Sequence, residues 1–376
     1  MNMRVCHVVF SHFPDPGTTA PQYSAHLAAQ GIRIDLLALS FSPSETLEEH
    51  QDGVRVFRVP AYVEGRPFAT LRKFSGALAS MLRKQHYDLV HIYASREAAY
   101  VRLRCQRPRT KWLLHVISGS LKGGLRTEMN NKLTRLTSHF FDMVVAEKLV
   151  GRKVLGHRPF AEVPVGADFS RFVPGSNERL RTQLDYSQED IVAVYLGTFA
   201  FSRKIDRLIL GFAIASQQCS KLRLLLVGGG AQLPDVKALV AELGLTDKVY
   251  FVGEVPFLEV PEYVAIADIG LGYVPITPEY DPQSPLKTVE FMAAGKPVLA
   301  TATQGNALFI QDGENGLLVN DDSPSLGEGI LRLARHPALR KKLARNARPS
   351  VSEYDWKRIV REQLLPVYKQ LVEGTD

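Results

Sequence analysis

The sequence predicts an α/β fold laid down twice, and three observations carry that expectation. Short apolar runs alternate with stretches of helical spacing through most of the chain. The alternation halts at residues 163–175, VPVGADFSRFVPG, which are rich in Pro and Gly and lack a period, and then it restarts. Two runs in the second half, 191–196 and 222–227, stop at a glycine, as a strand does before a tight turn into a helix. Short strands separated by helices are the signature of parallel β-α units. Two successive sets make two Rossmann-like domains facing a cleft, and 376 residues are comfortable for two cores.

Each element follows from its own pattern. Residues 4–10 are an apolar run that leads into the turn Pro14-Asp15-Pro16-Gly17. Residues 20–30 have helical spacing and stop at Gly31, and 32–39 form the next strand. A strand at 54–59 precedes a basic amphipathic helix at 67–85. Strands at 87–92 and 111–117 flank a helical region, followed by a helix at 130–141 and a strand at 143–146. After the break, 191–196, 222–227, 249–252 and 269–274 are strands, and 205–217, 232–243 and 259–267 are helices. The closing stretch carries Tyr354, Trp356, Ile359, Leu364, Tyr368 and Leu371, broken by Pro366, and reads as a kinked helix that needs a surface to pack on. The expected division is 1–166, 175–350 and a closing segment 351–376.

Composition excludes several classes. Hydrophobic residues make up 45% and charged residues 23%, ordinary for a globular protein in water. The longest apolar runs are too short to span a bilayer, and the first residues lack a signal peptide's long apolar core and cleavage site. Cys6, Cys105 and Cys219 are scattered and odd in number, which fits a reducing cytoplasm better than a disulfide framework or a metal cluster. Residues 1–174 carry 24 Lys and Arg against 14 Asp and Glu, a net of +10, whereas 175–376 carry 22 against 25, a net of −3. Arg72, Lys73, Arg83, Lys84 and the run from Arg102 to Lys111 supply much of the excess. A solvated basic face explains this, and so does attraction to an anionic membrane or a lipid-linked acceptor. No RNA- or DNA-binding signature accompanies the charges, so nucleic acid is not an expected partner.

Residues 284–301, SPLKTVEFMAAGKPVLAT, are the most informative stretch. Pro285 stands where a helix begins, Gly295 suits a left-handed cap, and Pro297 follows where the helix cannot continue. A helix mouth at Leu286 offers free N–H groups and partial positive charge to an anion, and Lys287 adds a full charge. Glu290 lies one turn further in on a similar face. This arrangement suits a diphosphate at the mouth and a carboxylate bonding hydroxyls beyond it, as in a nucleotide diphosphate with its ribose.

The same stretch resembles the donor-site segment of GT-B glycosyltransferases, in particular glycosyltransferase family 4. There the pattern is P-x-K-x-x-E-x-M-A-x-G-K-P-V, and here it stands as Pro285, Lys287, Glu290, Met292, Ala293, Gly295, Lys296, Pro297 and Val298. The resemblance implies a nucleotide-diphosphate sugar donor, a glycan or lipid-linked acceptor, retention at the anomeric carbon, and no metal or other cofactor. It also implies a last helix that crosses back to the N-terminal domain. The family's first glutamate, eight positions before Glu290, is replaced by Pro282, so Asp281, Gln283 and Ser284 become the candidates for sugar contacts.

Further residues acquire roles by the same resemblance. Gly228-Gly229-Gly230 follows a strand, as a turn approached by a phosphate does, and the family places this segment under the nucleotide, with Gly229 in its path. The spacing is not that of a dinucleotide fingerprint, since position 233 is Leu. Arg203 and Lys204 follow the loop opened by Gly197 and suit a pyrophosphate leaving group. The family often has Arg where Thr198 stands, so Lys204 is the preferred catalytic cation. Val252 lies on the strand end beside the nucleobase. In the first half, His115 is a catalytic or sugar-contacting candidate, Asp15 and Gly17 lie in the loop after the first strand, and His91 reads as a core residue. No His, Cys or Asp cluster has metal-ligand spacing. Two other readings stand beside the transferase: a nucleotide-sugar-binding subunit without turnover, and a sugar-nucleotide epimerase of the same fold.

Overall fold

The computed structural model describes residues 3–12, 19–42, 45–61, 67–94, 97–105, 107, 109–118 and 124–374. The expected turn at 14–17, and with it Asp15 and Gly17, lies outside the described residues. The chain divides into two compact units: Met1–Val165 with Trp356–Asp376, and Gly166–Asp355.

The first unit holds β1 (Arg4–His12), α1 (Thr19–Ala29), β2 (Arg33–Ser40), β3 (Glu48–Gln51), β4 (Val54–Pro60), α2 (Pro67–Lys84), β5 (Leu89–Tyr93), α3 (Ala98–Arg104), β6 (Lys111–Val116), α4 (Gly124–Ser138), β7 (Met143–Ala146), α5 (Lys148–Leu155) and β8 (Ala161–Glu162). Its sheet runs β3-β4-β2-β1-β5-β6-β7-β8. All pairings are parallel except β3 with β4. Helices cover such a sheet on both faces, so inner strands such as β5 are buried along their whole length. Leu78, Leu82, Val90, Trp112, Leu114 and Val154 belong to the resulting core.

The antiparallel edge strand β3 was not expected. Its sequence, EEHQ, has no apolar residue, so hydrophobic alternation is silent there. The signal was the turn: Asp52 and Gly53 both take positive φ, 50° and 77°, the geometry of an Asp-Gly hairpin. A short charged strand at an edge also discourages pairing with another chain.

The second unit holds α6 (Glu178–Gln183), β9 (Ile191–Leu196), α7 (Ile205–Gln218), β10 (Leu222–Val227), α8 (Leu233–Glu242), β11 (Val249–Gly253), α9 (Val260–Ala265), β12 (Ile269–Gly272), α10 (Leu286–Ala293), β13 (Val298–Thr301), β14 (Leu317–Val319), α11 (Ser323–Arg335) and α12 (Pro337–Ser350). Its sheet runs β11-β10-β9-β12-β13-β14, all parallel. This is the doubly wound order 3-2-1-4-5-6, whose direction reverses between β9 and β12.

The division falls at 165/166 and 355/356 rather than at 166/175 and 350/351. Residues 166–174 and 351–355 belong to the second unit for a visible reason. Arg348 on α12 donates to the carbonyls of Phe169 and Phe172, and Ala167 bridges Asp355. The chain then forms α13 (Trp356–Ile359), a π-helical turn (Val360–Leu364) and α14 (Leu365–Glu373) in the first unit. Pro366 sits in the first turn of α14, where its missing N–H matters least, and the π-turn before it absorbs the break. Trp356, Ile359, Val360, Leu364 and Tyr368 are buried. No described helix is long and apolar enough to cross a membrane.

Candidate functional site

In a doubly wound sheet, ligands meet the carboxyl ends of the strands where the order reverses. In the second unit that point lies between β9, which ends at Leu196, and β12, which ends at Gly272. The loops there are pressed together. Gly197 N–H donates to Val227 O, Gly228 N–H to Gly253 O, and Phe199 N–H to Gly229 O, at 2.7–3.0 Å. Gly228 has φ 130°, and a Cβ on it would lie 2.1 Å from Gly197 O, so only glycine fits. The floor of the site is therefore bare backbone. Val252 sits where the pairing of β11 with β10 skips a residue, a bulge beside the same loops.

Helix α10 opens onto this floor. Pro285 precedes it in extended conformation, and Gly295 closes it with φ 66°, as the sequence predicts. Lys287 in its first turn reaches to 3.9 Å above the Tyr195 ring and donates to Tyr273 O at 3.2 Å. Burial, with the nearby Arg203 charge second, pushes its ammonium well below the usual lysine range. Arg203 stacks 4.4 Å from the Tyr280 ring centre, whose hydroxyl bonds Ser202 at 2.8 Å. Among the described residues neither Lys287 nor Arg203 is ion-paired with a carboxylate. The Tyr195 hydroxyl, fully buried beside Gly197, has no hydrogen-bond partner among the described residues.

Glu290 follows one turn deeper and is 7% exposed. Its carboxylate makes no hydrogen bond with the described residues. Burial raises its pKa to about 7, and Lys287 draws it partly back. A buried carboxylate without partners is costly unless something supplies donors.

The three cations are held in different ways. Lys204, preferred from the sequence, adopts φ 49° and caps α7 through its backbone, whose carbonyl accepts from Tyr273 Oη at 3.0 Å. Its ammonium has no partner among the described residues, whereas Arg203 and Lys287 converge. The sugar-contact candidates Asp281 and Gln283 have partners within the chain. Asp281 accepts from the backbone and side chain of Gln304, and Gln283 Nε2 donates to Glu279 O at 2.7 Å, so both side chains help to hold loops and keep further hydrogen-bonding capacity. Gly305 fits the clamp because a Cβ there would lie 1.8 Å from Gln283 O. Pro282 is buried. Ser284 remains beside the helix mouth.

Sequence reasoning missed the residues that brace the site. Thr288 donates to Asn306 Oδ1 at 2.7 Å, and Asn306 Nδ2 donates to Gly272 O and Thr301 O at 3.1 and 2.9 Å. Asp321 accepts from Tyr273 Oη, Ile276 N and Arg207, pinning the loop after β12. These groups lie far apart in the chain and form no motif.

His115, the candidate in the first unit, is 1% exposed and ends a buried chain of bonds. Ser24 Oγ donates to Ala20 O, so it accepts from His7 Nδ1–H at 2.7 Å. His7 Nε2 then accepts from Tyr368 Oη at 3.0 Å, Tyr368 accepts from His91 Nδ1–H, and His91 Nε2 accepts from His115 Nδ1–H at 3.0 Å. The chain sets one tautomer for all three rings and leaves the lone pair of His115 on Nε2. Burial lowers His7 and His115 to about 3, and His91 also falls well below its ordinary value. His91 is a core residue, as the sequence suggests. Among the described residues no group of three or more His, Cys, Asp or Glu is placed to hold a metal.

The second unit is a doubly wound α/β unit with a helix mouth open to an anion at its switch point. Residues 176–350 match the family described as Glycosyl transferases group 1, and residues 16–148 match the Glycosyl transferase 4-like domain. D-inositol 3-phosphate glycosyltransferase of Nocardioides sp. is 27% identical over 392 residues, covering 93% of this chain and 83% of that protein. Several other curated relatives are matched over about half of their own length. Sucrose-phosphate synthase from Thermosynechococcus elongatus has the same fold, with TM-score 0.84, 24% identity and full coverage of both chains. Anabaena HepE, solved with UDP and glucose, follows at TM-score 0.80 and 20% identity, covering 98% of this chain and 100% of that one. The chain belongs to the GT-B glycosyltransferases and is of the family-4, hexosyltransferase type.

Proposed function

We propose that the protein moves a sugar from a nucleotide-diphosphate donor to a glycan or lipid-linked acceptor, with retention at the anomeric carbon. The observation that carries the donor half is the pairing of Arg203 and Lys287 at the mouth of α10 with the unpartnered, buried Glu290 one turn in. The two cations and the helix N-terminus receive the diphosphate, and the Tyr195 hydroxyl adds a donor. Glu290 accepts from the ribose hydroxyls. In the reaction the bond from the anomeric carbon to the β-phosphate oxygen breaks, its electron pair leaves on the diphosphate, an acceptor hydroxyl oxygen bonds the carbon, and the hydroxyl proton passes to the departing diphosphate. Charge growing on the diphosphate is met by Arg203, Lys287 and the uncommitted ammonium of Lys204. Because protein groups supply this positive charge, transfer is expected without a metal or other cofactor. The basic first half supports peripheral contact with an anionic membrane on the cytoplasmic side, where a lipid-linked acceptor is presented. Retention and the acceptor class rest on the family resemblance.

A panel of nucleotide sugars tests this reading. Transfer to an added glycan or lipid-linked acceptor, or slow donor hydrolysis, both surviving EDTA, supports it. Turnover abolished by EDTA overturns the metal-free part, and an inverted product anomer overturns retention. One observation favours a second reading, a binding subunit without turnover: Pro282 stands where the family has its first glutamate, and the neighbouring Asp281 and Gln283 already bond loop residues. Nucleotide-sugar binding with neither transfer nor hydrolysis selects it.

A further inference from the structure

Helix α4 is built inside out. An ordinary surface helix turns its apolar stripe to the core and its polar face to water. Here the small polar residues Thr127, Asn131, Thr137 and Ser138 are buried, while Leu125 is 85% exposed, Met129 64%, Leu136 66% and Leu133 46%. Phe140, just past the helix end, is 47% exposed. At 100° per residue the four helical side chains share a stripe about 80° wide, with Phe140 just beyond the helix end. Exposed Lys132 borders it on one side and exposed Arg126 on the other. The patch continues toward α3, which exposes Tyr100 and Leu103 and is tied to the end of α4 by Arg102 Nε donating to Phe140 O at 3.1 Å. Four large apolar side chains on one water-facing stripe, with Phe140, Tyr100 and Leu103 exposed nearby, mark an interaction surface rather than chance exposure.

We propose that this face of α4 is an interfacial helix that seats the first unit on an anionic bilayer, its apolar stripe entering the headgroup boundary. Charge chooses the occupant. Arg126 and Lys132 have long stems that can lie along the acyl boundary while their heads meet lipid phosphates. Arg104 on α3 and the net +10 of the first half add attraction of the same sign. This deepens the membrane contact proposed above, and it relocates it. The sequence pointed to the basic helix α2 and a purely electrostatic contact, whereas α4 adds a hydrophobic contact that salt does not screen.

The test is sedimentation of the full chain with vesicles of equal parts phosphatidylglycerol and phosphatidylcholine, against phosphatidylcholine alone, at low and high salt. It needs neither donor nor acceptor, so it stands apart from any transfer assay. The wild type is expected to bind the mixed vesicles and keep part of that binding at high salt. Leu125→Ser with Met129→Ser and Leu136→Ser should weaken it at least about tenfold at both salts. All three positions are exposed, so the thermal unfolding midpoint should hold. Leu133→Trp gives a second readout, a blue shift of indole emission and quenching by brominated lipid only when vesicles are present. Binding unchanged in the triple variant, or an indole at position 133 that stays in water, overturns the proposal. A wild type that is a dimer by light scattering, becomes monomeric in the triple variant and ignores vesicles assigns the face to a second copy and overturns it too.

Discussion

The Lys287 ammonium stands 3.9 Å above the ring of Tyr195, with Tyr273 O 3.2 Å away as its hydrogen-bond acceptor. The contact holds the amine at the sheet's switch point without an ion pair to a carboxylate, while burial and the Arg203 charge disfavour its charged form until an anion arrives. A ring face attracts a cation by roughly 1 to 2 kcal/mol, far less than a carboxylate at the same place would. An arriving diphosphate can therefore take the charge over. Arg203 on Tyr280 is held in the same manner.

Glu290 should make the folded protein less stable as pH rises. Its pKa is raised by burial from an ordinary 4.5 to about 7, so between those values the native state holds more protons than the unfolded one. Stability then falls with rising pH through that window, by up to about 3 kcal/mol. Glu290→Gln should flatten the fall and be the more stable form at pH 8. The same variant should bind nucleotide diphosphates more weakly, by about 1.5–3 kcal/mol, through loss of a charge-assisted bond. Denaturant unfolding across pH and calorimetry with nucleotides measure the two halves. A variant that is less stable at pH 8, or that binds as well as wild type, removes Glu290 from this role.

The histidines of the first unit should act in the opposite direction. With His7 and His115 lowered to about 3 and unfolded values near 6.5, the unfolded chain binds protons that the native one refuses. Stability is lost as pH falls from about 6.5 toward 3. Nitrogen-15 spectra of the rings at neutral pH should show three neutral Nδ1–H tautomers. Tyr368→Phe removes the link between His7 and His91 and should cost about 1–3 kcal/mol, with the tautomer pattern of His91 disturbed. Protonated rings at neutral pH, or a Tyr368→Phe spectrum identical to wild type, would refute the chain of bonds.

Gly228→Ala should damage the floor of the nucleotide site. Its positive φ and the 2.1 Å that would separate an added Cβ from Gly197 O leave no room, and the clash is with backbone. A cost of about 3 kcal/mol or more is expected, and nucleotide binding should go with it. Gly244→Ala is the control, since its φ of 65° lies in the left-handed region at modest strain and its Cβ would meet nothing within 4 Å. Equal effects from the two substitutions would mean that strain, not crowding, is what matters.

Local signals were legible and distant ones were not. Apolar runs such as 191–196 and 222–227 match their strands end for end, because buried parallel strands are continuous hydrophobic segments. The mouth of α10 was readable from Pro285, Lys287, Glu290 and Gly295, since a helix start, its charge and its stop lie within one short segment. No element is predicted from the sequence at α11, although Asp322 caps it by accepting from Ser325 N–H at 2.8 Å and Pro324 sits in its first turn. The preference for Lys204 as the catalytic cation came from the family pattern around Thr198, whereas the nearness of Arg203 to Lys287 is a matter of the fold, since the two lie 84 positions apart. The Asn306 and Asp321 braces join residues tens of positions apart, so no window along the chain reveals them. The reversed polarity of α4 was invisible for another reason: spacing shows that a helix has an apolar face, not which way the face turns.

The capture of a diphosphate by Arg203, Lys287 and the mouth of α10 is the central claim. Calorimetric titration with UDP, GDP and ADP, each against its own nucleoside, tests it most directly. At least one diphosphate should bind about a hundredfold or more tighter than its nucleoside, corresponding to two charge-assisted contacts of about 1.5 kcal/mol each. That advantage should collapse in the Arg203→Gln, Lys287→Gln double variant while the weak nucleoside affinity stays. A nucleoside that binds as well as its diphosphate, or a double variant that keeps the full difference, would contradict the account.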